Sequence, residues 1–322
     1  MDDPIILHFN PGESPEKGAK RLALLLLDHA EHFLQHAESL DVGLHETRKD
    51  IKKLRALLRL VRSGMNEETY KNANRALRDA ARLLSDARDS AVLVESISLL
   101  GERHPDIFHD KGFQEMREQL QSRHQQQLNI IRSHRTTEQV LMVIKAIKET
   151  VHRWNLEHED FSAFSAGIVK AYGRGMTNRG VAREDTTPEH LHEWRKRVKD
   201  LYYQLGYMQM IWPPVMLAWE TALGELSDLL GLDHDLAVLQ QILKSEESTA
   251  TNLSGHRLLA GLVHEERSKL QTQAWSLGRR LYAETPDQFV ARLHAYWEAM
   301  KGNNSGFELR NAIPGNSEDT SS

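Results

Sequence analysis

The 322 residues include no cysteine. That excludes disulfides and thiolate-held metals and makes a reducing compartment, the cytoplasm, the expected setting. Aromatic residues make up only 7%, too few to interleave stacking platforms with cations as single-stranded nucleic-acid binders do. Long apolar runs are missing as well. The longest, Leu22 to Leu27, is followed at once by Asp28 and His29, far short of the roughly 20 residues that cross a bilayer, so no membrane association is expected. Net charge is low, at -5, which argues against a basic surface spread evenly over the molecule. Glycine-rich phosphate loops, nucleophile elbows and metalloprotease helices do not occur. The chain therefore reads as a non-enzyme that needs no cofactor.

What is present is helical periodicity. Apolar residues recur at three- and four-residue spacing through nearly every segment, without the sustained alternation of a half-buried strand, so the expected class is all-α. Helix starts are written at Ser14-Pro15-Glu16, Thr187-Pro188-Glu189 and Thr285-Pro286-Asp287. Each offers a capping oxygen, a proline in the first turn and a carboxylate facing the positive end of the helix dipole. Breaks are expected at Gly101 to Gly112, at Trp212 to Pro214 and at Ser245 to Ser254. Glycine and polar residues from Gly302 to Ser322 suggest a disordered tail.

Laid on itself at an offset of about 147 residues, the chain repeats two signatures. His45-Glu-Thr-Arg48-Lys49-Asp-Ile-Lys52-Lys-Leu54 returns as His192-Glu-Trp-Arg195-Lys196-Arg-Val-Lys199-Asp-Leu201. Leu83-Leu84-Ser-Asp-Ala-Arg88-Asp89 returns as Leu229-Leu230-Gly-Leu-Asp-His234-Asp235. Two blocks in the same order with nearly the same gap imply a duplicated helical unit. The expected division is an N-terminal segment 1–14, a first half 15–150, a second half 158–300 and the tail 301–322.

Charge is concentrated in the first signature, where residues 45–62 hold seven cations against two anions, a local charge of +5. His45, Arg48, Lys52, Arg55, Arg59 and Arg62 step by three and four and so form one line down a helix face, backed by the apolar Ile51, Leu54, Leu58 and Val61. Like charges on neighbouring turns destabilise a free helix by a few tenths of a kcal/mol per pair. A line of this kind suits an extended anion. A charged helix face is ordinarily just solvated, but solvation gives no reason to hold His, Arg and Lys in register across two copies. In the second copy the line runs His192, Arg195, Lys199 and then Tyr202, with a phenol where Arg55 stands.

The candidate binding residues are accordingly His45, Arg48, Lys49, Lys52, Lys53, Arg55, Arg59, His192, Arg195, Lys196, Lys199 and Tyr202. Arg75, Arg78 and Arg82, at helical spacing ahead of the Arg88-Asp89 block, and Tyr172, Arg174 and Arg179, ahead of the second line, are further candidate liners. His45 and His192 are candidate anion sensors, because neighbouring cations disfavour their protonation and a bound phosphate favours it. Two metal readings are weaker. His234-Asp235 resembles the dipeptide of metal-dependent phosphohydrolases, but its repeat counterpart carries Arg88, which cannot ligate a metal. His29, His32 and His36 share a face by spacing, as three of 17 histidines easily do.

These residues resemble a known family, the conserved histidine α-helical domain, or CHAD. Its His-x-x-Arg-x-x-x-(Arg/Lys)-(Arg/Lys)-Leu-Arg helix is matched by His45, Arg48, Lys52, Lys53, Leu54 and Arg55, and in part by His192, Arg195, Lys199 and Leu201. Its Leu-Gly-x-x-(Arg/His)-Asp segment is matched by Leu230, Gly231, His234 and Asp235, and less well by Leu84, Ser85, Arg88 and Asp89. The resemblance implies two pseudo-symmetric, four-helix-bundle-like halves around a central basic pore. It also implies binding of inorganic polyphosphate, with association to polyphosphate granules, and leaves room for other polyanions. Single-stranded RNA, for which Tyr202 and Tyr203 could stack, is the alternative partner.

Overall fold

The computed structural model describes residues 7–246 and 253–311. It is built of helices, with no β-strand among the described residues. The first half of the chain supplies α1 (Pro15–His36), α2 (Leu40–Leu60), α3 (Glu67–Leu83), α4 (Ser85–Arg103), the short α5 (Pro105–Phe108), α6 (Lys111–Ser133) and α7 (Thr136–Val151). The second supplies α8 (Ser162–Glu184), α9 (Pro188–Tyr207), α10 (Pro213–Glu246), α11 (Leu253–Leu281) and α12 (Pro286–Asn311).

The written start signals work as their chemistry dictates. Ser14 Oγ accepts from Lys17 N, Thr187 Oγ1 from His190 N at 3.2 Å, and Thr285 Oγ1 from Gln288 N at 3.3 Å. Gln288 Oε1 in turn accepts from Thr285 N at 3.0 Å, closing a capping box. The expected breaks are narrower than the sequence suggests. Gly101 to Gly112 contains the end of α4, all of α5 and the start of α6, and only Trp212 separates a 3₁₀ turn at Gln209–Ile211 from α10. Within Ser245 to Ser254, residues 247–252 lie outside the described residues. The expected tail is partly helical, since α12 passes Gly302 and continues to Asn311; residues 312–322 lie outside the description.

Helices α1 and α2 pack together, as do α8 with α9 and α10 with both α9 and α11, while α2 and α9 pack on each other. Two buried cores result, and neither belongs to one half. The larger draws Leu22 and Leu26 of α1, Ile51 and Leu54 of α2, Ile144 of α7, Ile168 of α8 and Trp194 and Val198 of α9. The smaller joins Ile97 of α4 and Phe113 of α6 to Leu239 of α10 and Val263 of α11. The duplicated sequence therefore folds with helices of both copies in each core. At one crossing the fit is tight enough to require glycine: a Cβ on Gly167 of α8 would lie 2.7 Å from Leu60 Cα at the end of α2.

Candidate anion-binding site

Helices α2 and α9 carry the two cationic lines. Ile51, Leu54 and Leu58 on α2, and Leu191, Trp194, Val198 and Leu201 on α9, are buried. Burial of those faces fixes the rotation of each helix, and the cations follow on the opposite side.

In both copies the first signature meets the second. Arg48 donates through Nη1 to Ala81 O at 2.6 Å and to Ser85 Oγ at 2.8 Å, and its Nη2 stands 3.9 Å from Asp89. Arg195 lies against Gly231, the repeat counterpart of Ser85, where an added Cβ would come within 3.0 Å of Nη2. Glycine at 231 makes room for the guanidinium. His192 and His234 pack ring on ring with centroids 3.9 Å apart, and His45 is held below its ordinary value by burial and by Arg88, the counterpart of His234. Arg88 and Asp89 sit in the opening turns of α4, whereas His234 and Asp235 lie inside the unbroken α10.

The lines converge. Burial, joined by the nearby charges of Arg48 on its own helix and of Arg195 and Lys199 on α9, pulls the Lys52 ammonium down to about 8. Lys199 is likewise depressed by burial, which Asp228 opposes and Arg195, Lys49 and Lys53 reinforce. Each lysine feels cations of the other helix. Lys52 is nonetheless exposed to solvent. Lys49 is 3.1 Å from Glu46 and Lys53 is 3.3 Å from Asp50, while Lys196 pairs with Glu193. Lys52 has no ion pair among the described residues, and the Lys199 ammonium lies 4.6 Å from the Tyr202 ring centroid and 5.4 Å from that of Tyr203.

Further along the line each arginine has a partner. Arg55 donates to Asn74 Oδ1 at 3.0 Å, Arg59 pairs with Asp200 at 2.5 Å and Arg62 with Glu67 at 2.7 Å. Arg55 keeps its electrostatic cost, depressed first by burial and then by Arg59. Arg75, Arg78 and Arg82 are exposed on α3. Arg78 pairs with Asp79 at 2.9 Å and is close enough to Arg55 to disfavour its charge. Arg174 is exposed on α8 and has no described interaction with α2 or α9. Tyr172, read from sequence as a candidate liner, is instead fully buried and donates to Leu281 O at 3.0 Å. Arg179 acts on the charge of that phenol and on Tyr282 beside it.

The histidine end has its own electrostatics. Burial, then His234, holds His192 down to about 4, and burial, then Arg195, depresses His234. Asp235 is pushed up to about 6 by burial, with Arg195 opposing. A cleft of about 240 Å³ opens here, lined by Glu189, His190, His192, Glu193 and His234 among others. The face of His29, His32 and His36 is committed elsewhere: His29 pairs with the buried Asp50 at 2.5 Å, and His32 stacks on His36. Sequence reasoning missed Ala81 and Ser85 as the anchor of Arg48, and Asp200 as the counter-ion of Arg59. No short-range pattern marks partners 33 to 141 residues away.

Comparison with known proteins places the fold. The model of the CHAD domain matches residues 24–244. The CHAD domain from the plant Ricinus communis superposes with a TM-score of 0.54 at 19% identity, over 90% of this chain and 95% of that one. PptA from Streptomyces chartreusis does so with a TM-score of 0.54 at 15% identity, over 83% and 99%. A search of curated proteins finds no match. With the matched region spanning both histidine-headed helices and both Asp-bearing segments, the chain belongs to the CHAD domain family.

Proposed function

We propose that this protein binds inorganic polyphosphate, without chemistry on it, in the recess between α2 and α9, and that this binding associates it with polyphosphate granules. The observation that carries the reading is the convergence on Lys52. Burial and three cations from two helices act on an ammonium that water still reaches and that no described carboxylate pairs. Such a group destabilises the empty protein, and a multivalent anion relieves the repulsion. Polyphosphate offers about one charge per phosphate and no bases to read, so point charges at helical spacing suffice.

RNA fits less well. The aromatic pair that would stack bases is already covered by Lys199 at 4.6 and 5.4 Å, which leaves no free platform on that side. A metal-dependent phosphohydrolase is also disfavoured, because Asp235 and Asp89 each face an arginine, Arg195 and Arg48, that would repel a divalent cation. No helix among the described residues is long and apolar enough to cross a membrane. Competition tests the reading: long-chain polyphosphate should displace single-stranded RNA at equal phosphate concentration, and RNA that resists displacement overturns it. Release of orthophosphate from the polymer on adding divalent metal would overturn the non-catalytic part.

A further inference from the structure

The lysines of the site are not equivalent. Lys49, Lys53 and Lys196 each have a carboxylate within ion-pair distance, and Lys199 is spread over two tyrosine rings. Lys52 lies one turn from Arg48 on the same face of α2, which packs on α9, the helix that carries Arg195, and it has no described partner and has access to water. A phosphate held by those guanidiniums would therefore sit beside an unengaged amine. Arg48 is itself rigidly placed by Ala81 O and Ser85 Oγ, so the phosphate position is preorganised.

We infer that Lys52 is a modification site for small acyl phosphates, which bind by their phosphate between Arg48 and Arg195 and transfer their acyl group to Nζ. In the reaction the neutral amine attacks the carbonyl carbon, and a nitrogen–carbon bond forms as the carbon–oxygen bond to phosphorus breaks. Inorganic phosphate leaves with the electron pair, and the amine's surplus proton passes to water or to that phosphate. No redox partner is needed. The product is a neutral amide in place of a cation, at the point where the two lines converge, so acylation weakens polyanion binding. The inference rests on the anion-binding reading of the same recess.

Reactivity supports the placement. With its ammonium held at about 8 rather than 10.5, roughly a quarter of Lys52 is neutral near pH 7.5, against about 0.1% of an ordinary lysine. Lower basicity gives back part of that advantage, leaving about a tenfold faster reaction in the empty site, to which a bound acyl phosphate adds proximity while its charge returns part of the amine to the ammonium form. Lys145, on α7, about half exposed and 3.6 Å from Glu31, serves as the internal reference for a lysine with a carboxylate partner.

The full chain is incubated with acetyl phosphate, and separately with a phosphate-free acetyl ester, and the initial acetylation rate of each lysine is read by peptide mass spectrometry. Polyphosphate binding is titrated on the same preparation. Lys52 should outpace Lys145 about tenfold or more, by a wider margin with acetyl phosphate than with the ester, and added polyphosphate should protect it. Equal rates for Lys52 and Lys145, or the same margin with both reagents, overturn the inference. The parallel titration then tells whether the polyphosphate reading has fallen with it: binding without selective acetylation refutes only the acyl-phosphate site, and absence of binding refutes the shared premise.

Discussion

Replacing His192 by Gln removes a ring that burial and His234 hold down to about 4, against an ordinary value of 6.5. A histidine depressed in the folded state contributes stability that is fully present above about 6.5 and is lost as pH falls towards 4, because the unfolded chain takes up the proton first. Integrating the two titrations from about pH 7.5 to about pH 5 gives a loss of about 2 kcal/mol in the wild type that the glutamine variant does not share. Urea denaturation of both proteins at the two pH values, followed by circular dichroism, measures the difference with the slopes as a check on two-state behaviour. Parallel losses in the two proteins, within about 0.5 kcal/mol, would show that His192 is not held neutral by its surroundings. Binding should run the other way. A bound phosphate favours the imidazolium, so polyphosphate affinity should rise with acidification in the wild type and rise less in the variant.

Lys52→Gln removes the desolvated charge from the recess, so the melting temperature at neutral pH should rise while polyphosphate affinity falls, and a lower melting temperature would show that the lysine is not a strained group. Gly167→Ala should destabilise by about 1–3 kcal/mol, read as a lower denaturant midpoint, because the new methyl meets the Leu60 backbone; an unchanged midpoint would mean that the crossing can open freely. If Arg48, Lys52, Arg195 and Lys199 each neutralise one phosphate, the logarithm of affinity should fall by about 3 per tenfold increase in salt, and a flat dependence refutes electrostatic binding.

The two cationic lines were legible in the sequence because helical spacing converts directly into a face, and duplication marked them as more than solvated surface. Helix starts at Pro15, Pro188 and Pro286 were legible for a similar reason, since each cap is a local hydrogen bond between residues three apart. Long-range assembly was not. The mixing of α4 and α6 with α10 and α11 in one core depends on which apolar stripes meet, and the repeat alone suggests self-contained halves. Arg59 looked equivalent to Arg48 in the pattern, but Asp200, 141 residues on, takes it as a partner. Tyr172 looked like a liner beside Arg174, yet two positions on a helix turn a side chain by about 200°, enough to separate a buried phenol from an exposed guanidinium.

Titration of long-chain polyphosphate into the wild type and into a Lys52→Glu, Lys199→Glu double variant, with helicity checked by circular dichroism, reaches the centre of the account. These two lysines hold the convergence of α2 and α9 and make no ion pair that the fold depends on among the described residues. Saturable binding by the wild type and at least a tenfold weaker affinity in the equally helical variant is the expected result. Equal affinity in the two proteins would place the anion elsewhere and contradict a binding recess between α2 and α9.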